Sequence, residues 1–248
     1  MKNYQNLKEA IYFRKSTRDY SSSVVEILEN NENLIETFGL VPLVCDIKVQ
    51  IKLLNESEVK NGKTNYCIGF YSENKPLALE NIGFIGQQLD LELQSKGIGT
   101  CWWGMKKPKK EYKNVDGLEC FITMVVGMPK KDKKREYPKG FSRKITEDMV
   151  LGDTKTDSFI ESVRIAPSAV NRQPWLVEKS GDSYNFHLIN SKNPLDKIIG
   201  DLRYIDMGIA LAHLFVEAKA NGLDPEFSFD GEDFEKHKFI ANVLLKNS

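Results

Sequence analysis

One spacing constrains this chain more than any other: the same short patterns recur 125 residues apart. Leu40-Val41-Pro42 answers to Ile165-Ala166-Pro167, and Asn81-Ile82-Gly83 to Asp206-Met207-Gly208. Leu89, Glu92 and Gly97 answer in the same way to Leu214, Glu217 and Gly222, and Arg18 to Arg143. A register that never slips predicts two related halves, 1–135 and 136–248, folded as one intertwined unit.

Periodicity reads as one plan used twice. In the first half, helices are expected over 5–13 and 24–38, and a strand where Ile47, Val49, Ile51 and Leu53 alternate. A second strand over 64–72 follows. Ile82, Ile85, Leu89 and Leu93 then recur at helical spacing, predicting a helix over 79–96 that Gly97 ends, and a third strand covers 119–127. In the second half a helix over 156–165 precedes a hairpin of 176–179 and 184–189 about Gly181. A helix over 202–221, stopped by Gly222, and strands near 225–229 and 238–245 close a mixed α+β chain. Glycine inside a helix costs about 0.5–1 kcal/mol relative to alanine. Gly83, Gly86 and Gly208 therefore predict that the two long helices cross with their backbones in close contact.

Composition excludes several classes of function. The chain has 248 residues, 41% of them hydrophobic and 28% charged, which is ordinary for a soluble globular protein. Its 35 basic residues balance 35 acidic ones, so no net field draws in nucleic acid or an anionic membrane. The lysines of 106–113 and 130–144 read as solvated loops, without the interleaved aromatics of a single-strand binding groove. Cysteines 45, 67, 101 and 120 form no CxxC pair, and histidines 187, 213 and 237 stand apart, which suggests neither a disulfide framework nor a metal site. Residues 1–20 lack an apolar signal core and the longest apolar runs are strand-sized, so a cytoplasmic protein without a membrane span is expected.

Three segments carry chemistry. Arg14-Lys15-Ser16-Thr17-Arg18-Asp19-Tyr20 concentrates guanidinium groups and hydroxyls able to hold a phosphate. Gly97-Ile98-Gly99-Thr100-Cys101-Trp102-Trp103-Gly104 lets a flat ligand approach the backbone. It lacks the strand-then-helix context of a dinucleotide fingerprint. Ala166-Pro167-Ser168-Ala169-Val170-Asn171-Arg172-Gln173-Pro174-Trp175 holds uncharged donors and acceptors between two prolines, as a loop that reads a polar heterocycle would.

Together these motifs resemble the nitroreductase family of FMN flavoproteins, in the branch whose single chain is internally duplicated, and the resemblance covers essentially the whole chain. It implies a three-layer α-β-α arrangement in which two fused halves, related by a pseudo-two-fold axis, stand in for a homodimer. It also implies a cofactor site built from both halves. Arg14, Lys15 and Ser16 would lie at the phosphate and ribityl end, and Arg18 at the pyrimidine edge, where its charge favours hydride acceptance at the flavin N5. Trp102, Trp103 and Gly104 would border the ring. Pro167, Ser168, Ala169, Asn171 and Gln173 would reach ribityl or ring atoms, and Arg143 and Lys144 fall where the family places a late basic pair on the phosphate.

The halves diverge in a complementary way. Positions matching Ser168, Asn171, Gln173 and Trp175 hold Leu43, Asp46, Lys48 and Gln50, while the Arg14–Arg18 segment is answered by Lys139-Gly140-Phe141-Ser142-Arg143. One FMN per chain is expected. The resemblance implies an FMN-dependent NAD(P)H oxidoreductase that reduces nitroaromatics, quinones or similar flat acceptors by a ping-pong cycle, working as a monomer. The alternative from another class is a non-catalytic flavin or nucleotide binder, a sensor or store on the same scaffold.

Overall fold

The computed structural model describes every residue except 1, 22–25, 31–32, 61–65, 105–106, 132–133, 153–156 and 248. Helix α1 (Tyr4–Phe13) starts at Asn3, whose side chain accepts from the N–H groups of Gln5 and Asn6. Two one-turn helices follow, α2 (Glu26–Glu29) and α3 (Leu34–Thr37), then strands β1 (Val49–Asn55) and β2 (Tyr66–Ser72). The long helix α4 (Ala78–Ser95) leads into β3 (Gly99–Trp102), β4 (Asn114–Val115) and β5 (Leu118–Gly127). Next come β6 (Val150–Gly152), α5 (Ser158–Arg164), β7 (Trp175–Ser180) and β8 (Ser183–Leu188). The chain closes with α6 (Pro194–Ile199), α7 (Leu202–Ala220), β9 (Leu223–Ser228) and β10 (Lys238–Asn247).

The strands form two five-stranded sheets. The first runs β1-β2-β5-β3 with β4 also on β5, all antiparallel. The second runs β6-β7-β8-β10-β9 and is antiparallel except where β6 lies parallel to β7. One apolar core joins the inner faces of both sheets to α1, α4, α5 and α7.

Helices α4 and α7 meet as their glycines require. A Cβ on Gly83 would collide with the carbonyl oxygen of Ile205, and one on Gly208 with that of Glu80. The contact is reciprocal in the 125-residue spacing, since 83 and 80 answer to 208 and 205. Gly86 serves another purpose: a Cβ there would meet the Trp102 indole and come 2.9 Å from Phe70 Cε1, so its small size admits side chains from the first sheet, not the second helix. Every α4 residue from Glu80 to Gln94 is buried. The helix therefore has no solvated face, and its polar side chains must find partners inside the protein.

Other expectations shift for local reasons. The helix expected over 24–38 is two short ones where described, because Asn33 caps a new start by accepting the Glu36 N–H. Residues 22–25 and 31–32, on which part of that expectation falls, lie outside the described residues, as do 64 and 65 of the second strand. The first strand begins and ends two residues later than its alternation suggested. The glycine segment contains a strand, β3, because Thr100, Cys101 and Trp102 pair with β5. Helix α6 and strand β6 carried no periodic signal long enough to be read.

Candidate cofactor-binding site

Arg14 leaves α1 in extended backbone, and the segment that follows runs beside the glycine segment. Ser16 bridges Thr100, and the Thr17 N–H donates to Thr100 O at 2.8 Å. Gly99 is required there: a Cβ would come 2.8 Å from Thr17 Cβ. Beyond β3, the Trp103 N–H donates to Thr123 O and the Thr123 hydroxyl to Trp103 O, each at 2.9 Å. Gly104 then faces the first turn of α7, where a Cβ would stand 3.0 Å from Leu202 Cδ1.

Behind this surface lies a buried polar network. Arg14 is 1% exposed, and its Nε comes 2.8 Å from Asp90 Oδ2. Asp90 also accepts from Gln87 Nε2 and Gln94 Nε2, both at 3.0 Å, and from the Thr100 hydroxyl. Gln94 Oε1 receives the Lys15 N–H at 2.9 Å. Gln87 Oε1 takes the Trp102 indole N–H at 3.1 Å, and its amide nitrogen stands 3.1 Å from His213 Nε2. An amide nitrogen only donates, so His213 Nε2 accepts and its Nδ1–H donates to Ser162 O at 2.8 Å. Burial lowers the His213 pKa to about 3, keeping the ring neutral.

The loop after α5 approaches from the other half. Val170, Asn171 and Gln173 hold φ of 43°, 59° and 49°, left-handed backbone costing on the order of 1–3 kcal/mol each. Hydrogen bonds hold it in place. The Gln173 N–H donates to Ser168 Oγ at 2.8 Å, and the Ala169 N–H is shared between the Asp206 carboxylate oxygens at 2.9 and 3.1 Å. Gln173 Oε1 accepts the Lys144 N–H at 2.8 Å, and Lys144 Nζ donates to Gln173 O at 2.9 Å. Asn171 bonds Ser142 O at 2.9 Å and receives Arg143 Nη1 at 2.6 Å. Asn81, the counterpart of Asp206, accepts the N–H groups of Leu43 and Val44 at 2.8 and 3.2 Å.

Where the two sides meet, guanidinium groups crowd. Arg143 feels Arg135 and Arg14, and Arg135 feels Arg14 and Arg18. Burial first, then these like charges, lowers the Arg143 pKa to about 10 and moves Arg135 down as well. Both remain charged at neutral pH. Arg14 Nε meets the Asp90 carboxylate as an ion pair, whereas Arg14 Nη2, Arg135 Nη1 and Arg143 Nε are buried without a hydrogen-bond partner. Native proteins rarely leave such donors unmet, and a group of them with surplus positive charge is a receptor for an anion.

The structure puts Arg14 within electrostatic reach of Arg143, which donates to Asn171, while Lys144 and Gln173 bond one another in the loop that also holds Pro167 and Ser168. Trp103–Gly104 and Ala169 both border the start of α7. Trp102 turns elsewhere, stacking on Phe70 at 5.2 Å beneath Gly86. The Lys15 side chain is exposed on a separate shallow hollow with Lys131 and Lys134, and Arg18 is exposed. The stretch 130–144 is not simply a solvated loop, since Arg135, Arg143 and Lys144 turn inward. Asp90, Gln87, Asp206 and Arg135 escaped the sequence reading. Gln87, Asp90 and Gln94 were detectable as a polar stripe at helical spacing within an apolar run.

The family model described as "Putative TM nitroreductase" matches residues 6–218. The chain belongs to the nitroreductase family. A solved structure of a "putative nitroreductase" from Thermotoga maritima MSB8 is similar in fold, with a TM-score of 0.68, 22% identity, and coverage of 97% of this chain and 94% of that one. A nitroreductase family protein from Clostridium difficile 630 aligns at a TM-score of 0.46 and 16% identity, over 59% of this chain and 97% of its own. No curated protein sequence matches. In this nitroreductase-family chain no described helix is long and apolar enough to cross a membrane, and all four cysteines are free.

Proposed function

We propose that this nitroreductase-family chain is an FMN-dependent NAD(P)H oxidoreductase for nitroaromatics, quinones or similar flat acceptors, with one cofactor site per chain, working as a cytoplasmic monomer. The observation that carries the reading is the set of unmet guanidinium donors on Arg14, Arg135 and Arg143. A phosphate monoester satisfies such donors, and members of the family generally use a flavin.

On this reading Arg14, Arg135 and Arg143 hold the phosphate, with Ser16 beside them. Ser168, Asn171 and Gln173 shape the loop that faces the ribityl chain and ring, and Arg18 presents positive charge at the ring edge. Asp90 fixes the Arg14 guanidinium and offsets part of the cluster's charge. Trp103–Gly104 and Leu202 border the ring and limit the water that reaches it. Bound there, FMN supplies hydride acceptance from NAD(P)H and donation to the acceptor.

We take residues 1–135 and 136–248 as two related halves. Reciprocal glycine contacts between α4 and α7, and the matched roles of Asn81 and Asp206, support that division. The count of one site is supported by the α7 positions answering to Gln87, Asp90 and Gln94, which hold Ala212, Phe215 and Lys219. That half has neither the carboxylate nor the amides that would anchor a second buried arginine.

The test is the flavin content of the purified protein, before and after incubation with FMN. One FMN per chain, bleached anaerobically by NADH or NADPH and restored by a quinone, is the expected result. FMN that binds but does not cycle would make the protein a binder, and no binding would overturn the site.

A further inference from the structure

The second sheet packs one face into the core and turns the other outward. Trp175, Val177, Tyr184, Phe186 and Leu188 are buried in the core, so the alternate residues Glu178, Asn185 and His187 stand on the opposite face. The β9–β10 connection folds over that face. Between them lies a cavity of 430 Å³ whose lining includes the carboxylates of Glu178, Asp230, Glu232 and Asp233. Among the described residues, no lysine or arginine lines it.

His187 is the unusual member. It is 2% exposed, flanked by Phe234 and Phe239 with ring centroids 5.9 and 5.7 Å away. Neither ring nitrogen has a hydrogen-bond partner, and Nε2 stands 3.8 Å from Glu178 Oε2, beyond hydrogen-bond reach. Burial lowers its pKa, so at neutral pH the ring carries a free lone pair. A buried imidazole bonded to nothing, in a cavity of uncompensated carboxylates, calls for a ligand that is cationic and donates hydrogen bonds.

The arrangement does not suit a metal ion. Asp233 already accepts the Phe239 N–H at 2.8 Å, and among the described residues no three His, Cys, Asp or Glu side chains converge on one point. The carboxylates are divided between sheet and loop, with aromatic rings beside them, which matches several ammonium groups joined by methylenes. We propose that this cavity binds an aliphatic polyamine, its ammonium groups on Glu178, Asp230 and the His187 imidazole and its chain against Phe234 and Phe239.

The probe is spermidine, titrated calorimetrically at about 150 mM salt, where diffuse attraction is screened. The expected result is one spermidine per chain, with the His187 ring signals shifting in parallel in an NMR titration. Glu178→Gln and Asp230→Asn, both at solvent-accessible positions and checked for folding by circular dichroism, should each weaken binding about tenfold or more. No saturable binding, weak multiple binding that both variants leave unchanged, or magnesium binding in place of spermidine would overturn the proposal. The measurement needs no flavin and stands apart from the redox reading.

Discussion

Asp206 offers a sharp test of how the binding loop is held. Its carboxyl is 3% exposed, its hydrogen bond is the shared N–H of Ala169, and burial pushes its pKa from 3.8 to about 8. Below about pH 4 the group is protonated whether the chain is folded or not, and costs nothing. Between about pH 4 and 8 the folded state keeps a proton that the unfolded chain releases, so stability falls as pH rises, by about 1.4 kcal/mol per pH unit. Above about pH 8 both states are ionised and the slope ends. From pH 5 to 7 this one group should therefore cost about 3 kcal/mol.

Asp206→Asn removes the ionisation and keeps the acceptor. Asn81 demonstrates that an amide can do the same work, accepting two N–H groups and donating to Val44 O at 3.2 Å. Urea unfolding of both proteins at pH 5, 6, 7 and 8 gives the difference directly, since every other titrating group, His213 included, cancels. The variant should gain on the parent by about 3 kcal/mol between pH 5 and 7. Parallel curves would refute the argument that Asp206 is held protonated by its burial.

Three further perturbations follow. Gly83→Ala and Gly208→Ala should each destabilise by about 1–3 kcal/mol or more, because the added methyl meets a backbone carbonyl that cannot turn aside, and thermal melts should show similar losses for both. Asp90→Asn leaves Arg14 as a buried charge without its partner, so urea unfolding should show a loss of about 3–5 kcal/mol. Arg135→Ala should reduce FMN affinity by at least about tenfold, measured by flavin fluorescence quenching, while the flavin-free protein melts no lower, because the variant relieves like-charge crowding.

The sequence made the long helices legible because they combine apolar spacing with glycine stops. The loop Ala166–Trp175 was legible because its residues have few other uses. What stayed hidden depended on distant contacts. Asp90 stands out in α4 as a polar position at helical spacing, but its partner Arg14 comes from the end of α1, which no stretch of α4 alone can reveal. Arg135 sits among lysines that do face water, and it turns inward because its N–H is tied to Phe13 O and its guanidinium lies 4.7 Å from the Phe141 ring. Trp102 had the opposite fate: an aromatic in a ligand-like motif was drawn into the gap at Gly86 and bonded to Gln87.

The two central helices suggest why one composite site and not two would persist. Keeping Gln87, Asp90 and Gln94 inside α4 requires each buried polar group to be met, and Arg14, Thr100, Trp102 and His213 meet them. Such a network is sound only when complete, since removing one member strands the others. At the equivalent places α7 carries Ala212 and Phe215, which need no polar partners, and Lys219, which pairs with Asp224; the Phe215 ring packs against Tyr4 and Phe84 of the first half. On the proposed division into related halves, a half without an anchoring arginine gains stability when its stranded polar groups are replaced by apolar ones. Restoring a single polar residue there would have been costly. On this argument Phe215→Asp alone should unfold the protein and not recreate a site, and recovery would need an arginine at Lys139 in the same chain.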